Sequence, residues 1–362
     1  MSERASEPVS QRLARSADRA QRGSAGSASG AAVVTGCPRC GAPTAAGDRF
    51  CETCGTDLGV RRAGTTAAVR AATPGSCPHC PDTTGPDDDG YCPSCGLRGP
   101  VGGDRVEVVL DGGAGLSDRG YVRPRNEDAV ALGRAHADTA GDAPMAAVVC
   151  DGVSSVPRSE LAARAAADAT LEQLLRAGAG GDGERRTRAA VAAGAAAAAG
   201  LVVPGATYPP SCTLVCGLVD PVAPTLTVGW VGDSRAYWLG AGARLLTADH
   251  VAASAAPGVL DPIVVAARPD ALTRWLGADG EAEPDIVTMV PPGPGALLLC
   301  TDGLWKYLAH ADDLAAIALP ALRAAGPAAA AAALVAAALD AGGEDNVTVA
   351  LLPVPAVRRS AT

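Results

Sequence analysis

Four runs of apolar residues in this sequence end at an aspartate or begin directly after one, and this feature constrains the fold most. Asp302 follows "GALLLCT", Asp151 follows "MAAVVC", Asp233 interrupts the strand-like run "TLTVGWVGDSRAYWL", and Asp345 precedes "NVTVALLPV". A carboxylate beside a buried strand needs a cation, a metal or hydrogen-bond donors to offset its lost hydration. A single Asp-Gly pair indicates only a turn. Four such acids predict one cleft lined with carboxylates at one edge of a β core.

The composition limits what the chain can bind. Its 362 residues suggest two structural units, and a hydrophobic content of 48% with only 3% aromatic residues predicts a core of Ala, Val and Leu. The net charge of −9 argues against broad electrostatic binding to nucleic acid or to anionic membranes. Residues 1–36 have no apolar core region of a secretory signal, so we expect a disordered arm and a cytoplasmic protein. The Ala-rich stretch 189–206 is predicted to be a packed helix rather than a membrane span.

The N-terminal part contains two pairs of C-x-x-C units, which predict two zinc sites. Two such turns provide the four thiolates of a tetrahedral zinc shell. The alternative is a disulfide scaffold, which the absence of a signal peptide disfavours. Gly41, Gly55 and Gly96 each follow a second cysteine, where a tight knuckle turn favours glycine. The predicted zinc ligands are Cys37, Cys40, Cys51, Cys54, Cys77, Cys80, Cys92 and Cys95.

This segment resembles a double zinc ribbon over residues 37–97, with two structural Zn²⁺ ions. About sixty residues with few apolar side chains could not fold without metal. Few basic residues and the acidic stretch "PDDDG" favour a protein-docking or regulatory role over nucleic-acid binding. His79 is interpreted as a bystander. The remaining cysteines (Cys150, Cys212, Cys216 and Cys300) lie in apolar runs and are predicted to be buried core residues.

The rest of the chain predicts one α+β domain. Strand-like runs are expected at 106–110, 145–150, 213–219, 225–231, 235–239, 296–300 and 347–352, and Ala-rich helices at 158–176, 185–200, 311–325 and 328–341. Paired strands with helices set apart from them favour antiparallel sheets. The predicted organisation is an arm (1–36), the zinc ribbon (37–97), a linker (98–105), the domain (106–355) and a tail (356–362). Residues 252–277 are expected to form an irregular flap.

A second cluster, "GYVRPRNEDAV", places Arg123 and Arg125 close to Glu127 and Asp128. Carboxylate oxygens are the ligands that Mg²⁺ and Mn²⁺ prefer. An arginine beside them presents a planar fork to a pair of phosphate oxygens. Two such metals can share a hydroxide nucleophile and neutralise a phosphoryl transition state. The cluster therefore indicates metal-assisted phosphoryl chemistry.

The order of these motifs resembles the metal-dependent protein phosphatases of the PP2C (PPM) family, bacterial type, over residues 105–355. The pieces that carry the resemblance are "SDRGYVRPRNEDA", "VVCDGVSS", "SCTLVCGLV", "GWVGDSRAYWL", "LTADH", "LTRWLG", "LLLCTDGLW" and "GGEDNVTVALL". The resemblance implies an α-β-β-α sandwich of two antiparallel sheets. It also implies a phosphoserine/phosphothreonine protein phosphatase with a binuclear Mn/Mg centre and a bridging hydroxide.

The resemblance also implies roles for individual residues. Asp151 would bridge both metals, and Gly152 would contribute its backbone carbonyl. Asp302 and Asp345 match the other direct carboxylate ligands. Glu127 and Asp128 match acids at the cleft, with Asp128 acting through a metal-bound water.

Three further matches concern the phosphate and a weaker metal. Arg123 matches the phosphate-binding arginine, so that Arg125 is interpreted as a surface residue. Asp233, together with Asp302, matches the acids that can hold a weaker third metal, although Asp233 could instead cap a turn and support Arg235. His250 is expected to be structural.

One departure from the family pattern lies at "DGVSSVP", where Ser154 and Ser155 replace two glycines. Val153 occupies the place of a general-acid histidine found in some eukaryotic members, so protonation of the leaving oxygen would fall to metal-bound water. The expected partners are phosphoprotein substrates and a cognate Ser/Thr kinase system. The alternative function is a catalytically silent scaffold or binding module, which the complete set of carboxylates disfavours. A nucleic-acid-directed hydrolase guided by the ribbons is disfavoured by the acidic balance.

Overall fold

The structure is a computed structural model. It describes residues 42, 52–53, 60–63, 65–68, 91–94, 96, 104–135, 143–176, 182–221, 225–255, 259 and 262–354. Seven of the eight predicted zinc ligands, the N-terminal arm and the C-terminal tail lie outside these residues. Cys92 is described and buried. Gly96 has a left-handed φ of 71° and donates its backbone N–H to Cys92 O, the geometry expected of a knuckle turn.

Two antiparallel sheets form the centre of the protein. The first sheet has the order β1 (Val60–Arg62), β5 (Ala129–Ala135), β6 (Met145–Cys150), β7 (Leu214–Asp220), β8 (Thr225–Val231) and β11 (Asp285–Met289). The second sheet has the order β10 (Arg244–Leu245), β9 (Arg235–Gly240), β12 (Gly295–Cys300), β13 (Val347–Val354), β4 (Gly113–Asp118), β3 (Arg105–Leu110) and β2 (Thr65–Ala68).

Helices cover the outer face of each sheet. The described helices are α1 (Ser159–Leu175), α2 (Gly183–Ala199), α3 (Pro262–Ala267), α4 (Asp302–Trp305), α5 (Ala311–Ala325) and α6 (Pro327–Ala341), with a 3-10 turn at Ala252–Ser254. Helices α1 and α2 pack on the first sheet, and α5 and α6 on the second. No helix in the described part of the chain combines the length and apolar character needed to cross a membrane.

Strand periodicity builds the core between the sheets. In β12, Leu297 and Leu299 face the other sheet, while Leu298 and Cys300 face the helices on the second sheet. Both faces of a central strand are therefore buried, which explains why it reads as a continuous apolar run. The predicted α-β-β-α sandwich of antiparallel sheets is confirmed, and the predicted buried state of Cys150, Cys212, Cys216 and Cys300 agrees with the structure.

The predicted strands and main helices match the structure within a few residues. Strands β4 and β5 are absent from the prediction because their sequences, "GAGLSD" and "AVALGRA", are short and rich in small residues. Strand β11 and the short helix α4 were also not anticipated. Residues 252–277 contain the 3-10 turn and α3 instead of an irregular flap throughout.

The segment between the two C-x-x-C groups belongs to both sheets. Strand β1 pairs with β5, and strand β2 pairs with β3, so the two strands form one edge of each sheet. Ala68 pairs with Arg105, which in turn pairs with Asp118. Ala68 and Arg105, which flank the second cysteine group in the sequence, therefore lie at the same end of the second sheet.

Candidate metal centre

The predicted acids lie at one end of the sandwich. Because neighbouring strands are antiparallel, the end of one strand meets the start of the next. Ala129, at the start of β5, pairs with Cys150 at the end of β6, and Cys300 at the end of β12 pairs with Val349 near the start of β13. The residues beyond these pairs are Asp128, Asp151, Asp302 and Asp345. The predicted grouping of these acids at one edge of the β core is thus present.

Asp151 is surrounded by other acids. The protein around it displaces water from the carboxylate, and Asp128, Asp302, Asp233 and Asp345 repel its charge. Together these causes raise the pKa of Asp151 well above the ordinary value. Its backbone is held in place from both sides, since Asp151 N donates to Thr213 Oγ1 at 3.2 Å and Asp151 O accepts from Thr213 N at 2.8 Å.

Asp128 is clamped by two hydroxyl groups. Its Oδ2 accepts hydrogen bonds from Thr348 Oγ1 at 2.6 Å and from Thr301 Oγ1 at 2.9 Å. Burial raises the pKa of Asp128, and the two hydroxyl donors act against that rise. Since Thr348 donates to Asp128, its contact of 2.7 Å with Ser117 Oγ must be one in which Ser117 donates.

Two positively charged side chains each form an ion pair with one oxygen of a cleft carboxylate. Arg123 Nη2 lies 2.7 Å from Asp345 Oδ2, and this hydrogen bond is the main cause of the raised pKa of Arg123. Lys306 Nζ lies 2.5 Å from Asp302 Oδ2. Lys306 was not among the site residues predicted from sequence, although its place four residues after Asp302 on a predicted turn was a usable signal.

The cleft has unsatisfied oxygens that fit a hard cation. Asp128 Oδ1 and Asp302 Oδ1 are both buried, and neither has a hydrogen-bond donor among the described residues. A buried carboxylate oxygen without a donor is costly unless a cation compensates it. Among the described residues, no three His, Cys, Asp or Glu side chains lie close enough together to enclose a metal ion. Oxygen ligands of this kind are those that Mn²⁺ and Mg²⁺ take, usually with several waters.

Glu127 lies in the loop before β5, and its side chain contacts the start of helix α1. The residue is buried, and its Oε1 accepts from Ser159 Oγ at 3.0 Å and from Arg125 Nε at 3.1 Å. Arg125 is exposed, as predicted for a surface residue, but it also forms this ion pair. Gly152 lies so close that an added Cβ would stand 2.7 Å from Glu127 O. Only glycine fits where the backbone passes beside Glu127.

Asn346 fixes the loop that carries Glu127. Its Oδ1 accepts from Glu127 N at 2.8 Å, and its Nδ2 donates to Arg119 O at 2.8 Å and to Arg125 O at 3.0 Å. Arg119 in turn donates from Nη1 to the backbone carbonyl of Arg123. One buried amide therefore joins the residue after Asp345 to the segment 119–127. The letters "EDN" alone gave no sign of these contacts.

Asp233 does not support Arg235 in this structure. Arg235 forms a two-pronged ion pair with Asp249, at 2.9 Å and 2.7 Å, and its guanidinium lies 3.7 Å from the Trp305 ring centroid. Asp233 instead turns toward the cleft, where burial followed by repulsion from Asp302 and Asp249 raises its pKa to about 7. Trp305 Nε1 donates to Asp233 O at 2.9 Å and holds this turn against α4.

The "DGVSSVP" departure forms a compact turn. Val153 N donates to Ser211 O at 3.1 Å, and Val156 N donates to Val153 O at 2.9 Å. Ser154 and Ser155 are exposed. The left-handed conformation in this loop falls on Arg158, with φ 66°, directly before helix α1. His250 has the structural position expected for it, because its Nδ1 accepts from Gly232 N at 3.1 Å and its ring stacks on Trp230.

Comparison with known proteins gives a consistent result. A family model described as protein phosphatase 2C matches residues 123–339, and one described as double zinc ribbon matches residues 37–96. A search of curated proteins finds no match.

Several solved bacterial phosphatases share the fold. The serine/threonine phosphatase PstP/Ppp of Mycobacterium tuberculosis is 29% identical with a TM-score of 0.50, covering 67% of this chain and 98% of that one. The catalytic domain of PstP, solved with two manganese ions, is 30% identical with a TM-score of 0.50 and covers 67% of this chain and 97% of that one. Stp1 of Staphylococcus aureus is 24% identical with a TM-score of 0.54, covers 67% of this chain and 94% of that one, and bears on the fold alone.

Proposed function

This chain belongs to the protein phosphatase 2C family, and we propose that it hydrolyses phosphoserine and phosphothreonine on proteins at the acidic end of its sandwich. The observation that carries this proposal is that Asp128, Asp151, Asp302 and Asp345 lie at one end of the sandwich, within electrostatic reach of one another and beside Arg123. Acids that repel one another in a partly buried cleft have a chemical reason to be together when they share cations. Its partners would be phosphoproteins and the kinase system that phosphorylates them.

The residues that would hold two Mn²⁺ or Mg²⁺ ions are those already gathered in the cleft. Asp151, the Gly152 carbonyl, Asp302 and Asp345 would hold them. Glu127 and Asp128 would complete the shell, directly or through water. Such ions supply an activated water and positive charge for the phosphoryl oxygens. The solved PstP domain with two manganese ions supports this cofactor class.

Arg123 would orient the phosphoryl group. Its Nη2 is held by Asp345, and its side chain is one-third exposed (34%), so the rest of the guanidinium can reach a bound phosphate. A planar fork of donors suits two phosphoryl oxygens better than a single point charge does. Arg119 holds the backbone of Arg123 through a hydrogen bond to its carbonyl oxygen. The fork would therefore meet the substrate already oriented, which reduces the entropy lost on binding.

The threonine clamp on Asp128 would fix one acid of the centre. Thr301 and Thr348 engage only Oδ2, so Oδ1, which has no donor among the described residues, remains available to a cation. Val153 and the exposed serines that follow it provide no proton donor of histidine type. Protonation of the leaving oxygen would then rest on water in the cleft.

The cysteine segment would bind two structural Zn²⁺ ions and regulate access to the cleft. The match to the double zinc ribbon family supports zinc. A role at the cleft is supported by Asp104, in the linker after the ribbon, which forms an ion pair with Arg119 at 3.2 Å. Arg119 contacts Arg123, so this linker residue lies two contacts away from the proposed phosphate ligand.

Mn²⁺-dependent hydrolysis of a phosphothreonine peptide tests the proposal. The zinc-loaded full chain should turn over the peptide, and Asp302→Asn should lower kcat/KM by roughly a hundredfold or more, since it weakens a site worth several kcal/mol. Asp312→Asn, at an exposed aspartate of α5, is the matched control. A folded, metal-loaded wild type without turnover on any phosphopeptide or phosphoprotein would favour the scaffold alternative.

A further inference from the structure

Lys306 brings a positive charge to the edge of the acidic cleft. It directly follows helix α4, and its four-residue spacing from Asp302 puts both side chains on one face of that turn. The Lys306 side chain is 52% exposed, whereas that of Asp302 is 14% exposed. The lysine therefore reaches from the solvent side over Asp302, with Nζ 2.5 Å from Oδ2.

Lys306 leaves the other oxygen of Asp302 available. Asp302 Oδ1 is buried, and no donor among the described residues reaches it. One carboxylate can thus accept the ammonium on Oδ2 and still present Oδ1 to a metal. The Lys306 contact is therefore compatible with the ligand role proposed for Asp302.

Asp233 is the second acid in this corner of the cleft. The cation nearest to it in the sequence, Arg235, is already committed to Asp249 and Trp305. Lys306, by contrast, lies within electrostatic reach of Asp233 and of Asp345 as well as in contact with Asp302. The Lys306 ammonium thus offsets part of the negative charge of Asp302 and Asp233.

We propose that the Lys306 ammonium takes the place of a third divalent cation between Asp302 and Asp233. The protein would bind two metals in the cleft and provide the remaining positive charge from its own chain. This inference rests on the proposed function, because it assumes the two other metals.

The physical reason is that Lys306 and a third divalent cation would compete for the same carboxylate oxygen of Asp302. A divalent cation in this corner would meet the positive charge of Lys306 at a distance of a few ångströms and would have to displace it from Asp302 Oδ2. Like charges repel strongly at that distance in a partly buried site. We therefore expect a third site to be at least about tenfold weaker in the wild type than in a chain without this charge.

Counting bound manganese tests the inference. The zinc-loaded full chain is equilibrated with Mn²⁺, and free Mn²⁺ is measured by electron paramagnetic resonance. We expect two bound ions for the wild type and for Lys306→Arg, which keeps the charge. Lys306→Gln should bind a third ion, and Lys306→Gln combined with Asp233→Asn should return to two. Asp233→Asn alone should leave the wild-type count at two.

Two results would overturn the inference. One is a third Mn²⁺ in the wild type that Asp233→Asn removes. The other is a folded Lys306→Gln variant, verified by circular dichroism, that still binds only two ions. Failure of the proposed function looks different: the folded wild type would not hydrolyse a phosphothreonine peptide, whether or not it binds Mn²⁺. If Lys306→Gln does not fold, a third Mn²⁺ in the wild type that Asp233→Asn removes would still overturn the inference, and two ions in both chains would support it.

Discussion

Arg123 donates a hydrogen bond from Nη2 to Asp345 Oδ2 at 2.7 Å, which joins two residues 222 positions apart in the chain. Asp345 is a proposed metal ligand and Arg123 the proposed phosphate ligand, so one contact fixes the metal side and the substrate side of the cleft relative to each other. Restricting the guanidinium in this way leaves less entropy to be lost when phosphate binds.

Replacing Arg123 should therefore impair substrate use more than folding. For Arg123→Ala we expect kcat/KM toward a phosphothreonine peptide to fall by about 10²–10³, the range for losing a charge-assisted donor at a reacting group. Arg123→Lys should recover only part, because it lacks the planar fork. Arg185→Ala, at an exposed arginine of α2, is the control. Steady-state kinetics with unchanged activity in Arg123→Ala would refute this role.

The hydroxyl clamp on Asp128 gives a second prediction. Thr348→Val keeps the volume of the side chain but removes the donor to Asp128 Oδ2, leaving that buried oxygen with Thr301 alone. We expect the free energy of unfolding to fall by about 1–3 kcal/mol and Mn²⁺ affinity to fall with it. Thr348→Ser restores the hydroxyl and should recover most of both. Denaturant unfolding and Mn²⁺ titration measure them, and a serine variant no better than valine would contradict the explanation.

The pKa of Asp233 gives a third prediction, for zinc-loaded protein free of Mn²⁺ and Mg²⁺. Its pKa in the folded state is about 7, against an ordinary value of 3.8. Between these values the folded state holds a proton that the unfolded chain releases. The free energy of unfolding therefore falls as pH rises through this window, by up to about 1.4 kcal/mol per pH unit from this group. Asp233→Asn lacks the effect.

We accordingly expect Asp233→Asn to have a higher Tm than the wild type at about pH 8, with the difference shrinking toward pH 5. Thermal unfolding monitored by circular dichroism over this pH range measures it. A difference in Tm that does not change with pH would mean that Asp233 titrates normally in the fold. Adding Mn²⁺ should reduce the difference at high pH if the ions relieve the repulsion around Asp233.

The edge strands β1 and β2 give a fourth prediction. Removing residues 1–100 deletes both strands and exposes the edge of each sheet at β5 and β3. Unpaired edges lose stability and promote association between chains. We expect residues 101–362 to have a Tm several degrees lower than residues 59–362, which keep both strands, and to self-associate in sedimentation experiments. Equal Tm and a monomeric short chain would show that these strands contribute little.

Comparing the full chain with residues 101–362 tests regulation. If the ribbon segment controls access to the cleft, the two chains should differ in KM for a phosphoprotein but much less for a small aryl phosphate. Equal rates and equal binding for both substrates would remove the regulatory role.

Much of the site could be predicted from sequence because its signals are local. An apolar run with strand periodicity that stops at Asp151 or Asp302 identifies both the strand and the acid at its end. The contacts that orient these acids were not predictable. Thr348 and Thr301 look like ordinary strand residues until the pairing of β12 with β13 brings them together at the cleft.

The amino-acid sequence by itself determined which chemical groups this protein has, the order of its elements and the family to which it belongs. These properties follow from the sequence because strand and helix periods, turn dipeptides and C-x-x-C spacings are patterns that each span only a few neighbouring residues. Only the tertiary structure decided that Arg123 engages Asp345, that Arg235 engages Asp249 and not Asp233, and that residues 60–68 form an edge of both sheets. These outcomes depend on the register of antiparallel strands that are far apart in the chain, and no local pattern encodes that register.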